Sequence, residues 1–147
     1  MTKFNIGIIG FGFVGSSVAY GFSPQTGFDD AIIRIYDKEP SKSTHTLKQV
    51  LSESDYIFLS VPTPSNVDGS INLSILHSVL ELVDTLGTKE GCIVLVRSTV
   101  VPGTTRASGL VSASLVSLIT SPGVSPNTSP FSNTTLGLLN ILSPFLV

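Results

Sequence analysis

The chain has few of the residues that build metal centres and covalent cross-links. Of its 147 residues one is cysteine, Cys92, and two are histidine, His45 and His77. A lone thiol excludes an internal disulfide and a cysteine zinc site. Neither histidine has metal-ligating or catalytic neighbours in sequence, so no metal is expected. Basic runs are absent too, and a formal net charge of −2 leaves no electrostatic footprint for nucleic acid. No apolar run approaches the roughly 20 residues that cross a bilayer. The stretch 107–120 stops at 14 residues and is rich in serine, and 136–147 is shorter and broken by Pro144. At the other end Met1-Thr2-Lys3-Phe4 passes directly into an apolar run, which leaves no room for a signal peptide of the usual layout. The cytoplasm is the expected compartment.

Charge is missing from one part of the chain altogether. The 8 basic and 10 acidic residues all lie at or before Arg106, and residues 107–147 carry none. Soluble domains average roughly a quarter charged residues, so the break at Arg106 reads as a change of sequence type. Two parts are therefore expected: a folded domain over 1–106, and an uncharged tail over 107–147 rich in serine, leucine and proline.

What is present begins at once. Phe4, Ile6, Ile8 and Ile9 read as a buried strand that runs into Gly10-Phe11-Gly12-Phe13-Val14-Gly15 and a small-residue helix start, Ser16-Ser17-Val18-Ala19. The spacing is G-x-G-x-x-G. Gly10 suits a tight bend, Gly12 lets main-chain N–H groups approach a pyrophosphate, and Gly15 lets helix and strand pack closely. Phosphates would sit on the helix N-terminus, where unpaired N–H groups and the helix dipole favour negative charge. Alone, such a triplet is a weak signal. Context strengthens it: a second apolar run, Ala31-Ile32-Ile33-Arg34-Ile35-Tyr36, ends in Asp37, 22 residues past Gly15. An acid there can accept from both adenosine ribose hydroxyls and would repel a 2′-phosphate, which favours NAD over NADP.

Further along, Leu47, Val50 and Leu51 suggest a short amphipathic helix, and Asp55-Tyr56-Ile57-Phe58-Leu59-Ser60-Val61 a third strand. Val61-Pro62-Thr63-Pro64 stops that strand, since proline removes a ladder donor. Thr63 is thus expected in a stiff loop at the strand's C-terminal end. Asn72 is a candidate N-cap for a helix reaching Leu86, with Leu76, Val79, Leu80, Val83 and Leu86 on one stripe. Cys92-Ile93-Val94-Leu95-Val96 reads as a fourth strand, with Ser98 and Thr99 just past its end. Cys92 has no base or cation beside it in sequence and reads as a core residue. Strands alternating with helices predict an α/β fold: an incomplete Rossmann-like doubly wound parallel sheet with an irregular C-terminal tail.

Four stretches together resemble the N-terminal NAD-binding domain of the UDP-glucose/GDP-mannose dehydrogenase family. They are the glycine loop, Val61-Pro62-Thr63-Pro64, Asp68-Gly69-Ser70, and Arg97-Ser98-Thr99-Val100-Val101-Pro102-Gly103-Thr104-Thr105. The last is the most specific, because the family shows K-S-T-V-x-P-G-T-T there, with Arg97 in place of the lysine. The resemblance covers residues 1–106. It implies that Asp37 holds the adenosine ribose, that Thr63 and Thr99 line the path toward the nicotinamide, and that Lys42 lies near the cofactor phosphates. The segment between Asp37 and Asp55 is shorter than in the family, so a helical excursion has been trimmed. The implied activity is oxidation of a nucleotide sugar's C6 alcohol to a carboxylate by two hydride transfers to two NAD molecules. In the family the catalytic cysteine and its helpers belong to a second domain, so no catalytic residue is expected in this chain. A nucleotide-sugar substrate is implied for a full-length parent, whose oligomeric state stays open.

The family's N-P-E-F-L motif, expected after Thr105, is absent as written. Pro122-Gly123-Val124-Ser125 can be encoded so that a reading one nucleotide later gives Pro-Glu-Phe-Leu. The tail accordingly reads as out of frame or disordered, with the frame change between Arg106 and Ser121. Two other functions stay open on the residues. One is a stand-alone NAD-binding or regulatory module whose tail contacts a partner; the other is a hydroxyacid or sugar-phosphate dehydrogenase, against which the Arg97-to-Thr105 stretch counts.

Overall fold

The computed structural model describes residues 3–101, 104 and 114–117. Its element order is β1 (Phe4–Ile9), α1 (Phe13–Gly21), β2 (Ala31–Tyr36), α2 (Leu47–Glu53), β3 (Tyr56–Leu59), α3 (Ser74–Leu86), β4 (Ile93–Val96) and β5 (Ser114–Ser117). Single 3-10 turns at Pro24–Thr26 and Pro40–Lys42 punctuate the connections around β2. All five strands join one sheet in the order β2-β1-β3-β4-β5, and every pairing is parallel. The chain starts in the middle, places β2 on one side of β1, then crosses back to add β3, β4 and β5 on the other. This reversal is the doubly wound plan, and it opens a crevice between β1 and β3 at the strands' C-terminal ends.

Parallel strands covered on both faces need apolar residues at successive positions, and the core divides accordingly. Ile6 and Ile8 of β1, Phe58 of β3 and Leu95 of β4 face α1 together with Phe22. Phe28 completes this side, its ring edge-on to Phe22 at 5.4 Å. On the opposite face Ile9, Ile57, Leu59, Val94 and Val96 meet Val50 and Leu51 of α2 and Leu76, Leu80 and Val83 of α3. Leu59 and Leu76 are wholly buried, so truncating either to alanine is expected to cost about 2 to 5 kcal/mol. Cys92 belongs to this second cluster. Burial pushes its thiol up to about 11, with the Asp55 carboxylate adding to the shift, which keeps it protonated and inert.

Local sequence explains the element ends. Thr46 caps α2 in a capping box, its hydroxyl accepting from the Gln49 N–H while the Gln49 side chain accepts from Thr46 N–H, an arrangement worth about 0.5 to 2 kcal/mol. Gly87, with φ of 71°, stops α3. Asn72 does not cap α3 as the sequence suggested. The N-cap position is Leu73, and Asn72 sits one residue earlier, its side-chain oxygen accepting from the Ser74 N–H at 3.0 Å. Leu86, expected on the buried stripe, is the last residue of α3 and is 50 % exposed.

The short segment between Asp37 and Asp55 holds the expected helix, α2, which packs on β1 and β2 and completes the crossover. Strand β2 lies at the sheet's edge. One larger feature departs from the sequence reading: the sheet does not end with β4. Strand β5 pairs with β4 from Ile93↔Ser114 to Val96↔Ser117, eight residues beyond Arg106, where no strand was expected. Uncharged composition hid it, since Ser114-Leu115-Val116-Ser117 lacks the apolar run that marks a central strand. The stretch around Pro122 to Ser125 and the apolar run 136–147 lie outside the described residues.

Candidate functional site

The register of the sheet decides what stands at its C-terminal edge. Ile9 pairs with Tyr36 and with Leu59, and Leu59 with Val96. The next residues along each strand, Gly10, Asp37, Ser60 and Arg97, therefore emerge side by side. Main-chain bonds fasten them: Gly10 N–H donates to Tyr36 C=O at 2.9 Å, Ser60 N–H to Ile9 C=O at 2.8 Å, and Arg97 N–H to Leu59 C=O at 2.8 Å.

Gly10 turns the chain with φ of +91°, and a Cβ there would lie 2.4 Å from the Ser60 carbonyl oxygen. Gly15, inside α1, would bring a Cβ to 2.0 Å from the Gly10 carbonyl oxygen. The fold itself requires both glycines. Gly12 differs: its φ of −86° and ψ of −158° suit any residue, and a Cβ would meet nothing within 4 Å. Nothing in the fold requires glycine there, whereas a ligand approaching the main chain would.

Gly12 is also the N-cap of α1. No side chain caps this end and no acid lies in its first turn. The first main-chain bond of the helix runs from Ser16 N–H to Gly12 C=O at 2.9 Å. The N–H groups of Phe13, Val14 and Gly15 thus have no partner among the described residues, and the helix dipole adds to their pull on an anion. Phe13 is 90 % exposed, while Phe11 is half-buried against the α1-side core. Beside the loop an apolar groove of about 360 Å³ opens along α1, lined by Phe13, Val14, Val18, Phe58 and Arg97.

Asp37 is joined directly to the glycine loop. Its Oδ2 accepts from the Phe11 N–H at 2.7 Å, and its Oδ1 from the Glu39 N–H at 2.9 Å. Ser43 holds the Asp37 main chain at both ends, accepting from its N–H at 2.8 Å and donating to its C=O at 2.9 Å. Partial burial pushes the carboxyl up, but the Glu39 and Phe11 N–H groups, with the nearby Lys42 and Lys38, outweigh it and leave the pKa below the usual value. The group is an anion with about half of its roughly four acceptor positions still open. That is what a pair of ribose hydroxyls requires.

The other expected positions fall on the same edge without touching this pair. Thr63 is half-buried in the loop after β3, and Thr99 is exposed after β4. Between them Ser98, which the sequence placed here without a role, fastens the two loops. Its hydroxyl accepts from the Val61 N–H at 3.1 Å and donates to the Val61 C=O at 2.7 Å. A serine bonding main chain 37 residues away leaves no signal in sequence. Lys42 is engaged by Glu39 at 2.7 Å rather than by any group of the glycine loop. Pro102, Gly103 and Thr105 lie outside the described residues. Among the described residues no helix is long and apolar enough to cross a membrane, and no three His, Cys, Asp or Glu side chains gather to hold a metal ion.

Comparison with known proteins points the same way. Among solved structures the fold is similar to a UDP-glucose dehydrogenase from Pyrobaculum islandicum (TM-score 0.59, 20 % identity, 78 % of this chain and 35 % of that one). It is similar also to a GDP-mannose dehydrogenase from Pseudomonas aeruginosa (0.60, 22 %, 76 % and 35 %). A third is a UDP-D-ManNAc dehydrogenase from Pyrococcus horikoshii (0.55, 22 %, 71 % and 30 %). The chain thus spans about a third of the length of these proteins. No curated protein matches it in sequence. The family model described as the UDP-glucose/GDP-mannose dehydrogenase family, NAD binding domain, matches residues 25–117. That range begins after the glycine loop, contains Asp37, Lys42, Thr63 and Thr99, and runs through β5. More than half of the chain fits this pattern, and the chain belongs to the UDP-glucose/GDP-mannose dehydrogenase family through its NAD binding domain.

Proposed function

We propose that this chain is the NAD-binding part of a nucleotide-sugar 6-dehydrogenase, an oxidoreductase that converts the sugar's C6 alcohol to a carboxylate at the expense of two NAD molecules. The observation that carries the reading is the junction of Asp37 with the glycine loop beside an uncapped helix start, where Gly12 leaves open space that the fold does not use. In this reading Gly10, Phe11, Gly12, Phe13, Val14 and Gly15 form the pyrophosphate cradle. The N–H groups at the start of α1 take the phosphate charge, and Asp37 accepts from the adenosine ribose hydroxyls. Thr63 and Thr99 flank the path toward the nicotinamide, with Ser98 holding their loops together, and Lys42 stands at the outer rim. Bound NAD would supply the hydride acceptor. This chain's residues bind and orient it, and the sugar and its nucleophile belong to the parent's other domain, so the chain alone is expected to bind without turnover.

Replacing Asp37 by alanine tests the assignment. Losing a charge-assisted hydrogen-bond partner should weaken NAD binding by about 1 to 3 kcal/mol and narrow the preference over NADP. Calorimetric titration of both nucleotides reads this directly, and unchanged affinities would remove Asp37 from the site.

The tail belongs to the same proposal. The family match and β5 both continue to residue 117, past the loss of charge at Arg106. We place the frame change after Ser117, shortly before Pro122-Gly123-Val124-Ser125. Sequencing the coding DNA through this region checks it. A second frame supplying Pro-Glu-Phe-Leu and then a cysteine-bearing domain is the expected result, and its absence from every forward frame would favour a stand-alone NAD-binding module.

A further inference from the structure

The loop after β2 carries a charge pairing that ribose recognition by Asp37 does not account for. Glu39 follows Asp37 by two residues and is bound on both sides. Its N–H donates to Asp37 Oδ1 at 2.9 Å, one carboxylate oxygen accepts from the Ser41 hydroxyl at 2.9 Å, and the other lies 2.7 Å from Lys42 Nζ. The arrangement closes the 3-10 turn Pro40–Lys42, with Glu39 as its N-cap. Both side chains of the ion pair are about half exposed, at 53 % and 47 %, and pairs of that exposure add little to stability. Its consequence is electrostatic. Asp37, Lys38, Glu39 and Lys42 sum to no net charge, and without Glu39 the loop would be positive. Lys42 is near enough to Asp37 to act on its carboxyl, ahead of Lys38. A phosphate on the ribose 2′ position would therefore find in Lys42 its natural counter-charge.

We propose that Glu39 is a second determinant of cofactor choice: by holding Lys42 in an ion pair it withholds the loop's cation from a 2′-phosphate. This rests on the reading of Asp37 as the ribose acceptor. Asp37 discriminates at the hydroxyls themselves, while Glu39 discriminates by keeping the surrounding loop neutral.

The test titrates NAD and NADP into the full chain and into the Glu39→Gln and Glu39→Gln/Lys42→Ala variants. Glutamine keeps an acceptor for the Ser41 hydroxyl, and both positions are exposed, so the fold is unaffected. Glu39→Gln is expected to raise NADP affinity about 3- to 10-fold, with the gain shrinking as salt is added, and to leave NAD affinity within about twofold. Adding Lys42→Ala should abolish the gain. Unchanged NADP affinity in Glu39→Gln overturns the proposal, and so does a gain that survives Lys42→Ala. If the unaltered chain binds NAD in either case, the ribose reading stands and only Glu39 loses its role. If it binds neither nucleotide, the ribose reading fails and takes this proposal with it.

Discussion

The two ends of the same parallel strands are built on opposite principles. At the N-terminal end the charged and amide side chains satisfy one another, although the Ser54 hydroxyl is buried without a partner among the described residues. Asp55 accepts from the Asn5 side chain at 2.9 Å and pairs with Lys89, and Arg34 binds Glu53 at 2.8 Å and donates to the Asn5 side-chain oxygen at 3.2 Å. At the C-terminal end the donors of the α1 start have no partner among the described residues, and the Asp37 carboxylate keeps acceptor capacity in reserve. One end is closed and structural, and the other is arranged for a partner that the chain does not itself supply. The helices repeat the contrast: α2 begins with a complete capping box, while α1 begins with a bare glycine.

Among changes at the two strand ends, the largest expected effect falls on a structural glycine. Gly10→Ala forces a Cβ to 2.4 Å from the Ser60 carbonyl in a positive-φ turn, so thermal unfolding should show a loss of about 2 to 4 kcal/mol. A smaller effect probes the closed end. Partial burial raises the Asp55 carboxyl, but Lys89 and Asn5 outweigh it and leave its pKa below the ordinary value. Its contribution to stability is therefore complete above the unfolded-chain pKa of about 3.9 and is lost as pH falls through the lower folded value. Asp55→Asn should flatten that acid limb when melting temperature is followed from neutral pH downward. An unaltered pH profile would show that this end is not held together by its charges.

Legibility followed the physics of each feature. Ile6 and Ile8, Ile57 and Leu59, and Val94 and Val96 announced their strands because buried parallel strands demand apolar residues at successive positions. The glycine loop and Asp37 were readable because their spacing is set by the strand-turn-helix geometry itself. Strand β5 was not, since Ser114 and Ser117 carry no apolar alternation and only its pairing with β4 defines it. The fastening of Val61 by Ser98, of Asp37 by Ser43 and of Lys42 by Glu39 were equally silent. The first of these forms only when register brings the loops after β3 and β4 together, 37 residues apart, while the other two depend on the turn of a single loop. Asn72 shows the limit of local rules: its side chain bonds the helix start as a cap would, but from one residue too early.

The central claim, that the C-terminal edge is a dinucleotide site and the N-terminal edge is not, can be tested in one titration. NAD is added to the full chain, to Gly12→Val and to Asp55→Asn. Because a Cβ at Gly12 meets nothing in the fold, Gly12→Val should keep its melting temperature while losing about tenfold or more in NAD affinity, the equivalent of ~1.4 kcal/mol. Asp55→Asn should bind NAD as the unaltered chain does. NAD affinity that survives Gly12→Val, or that falls equally in Asp55→Asn, would contradict the account.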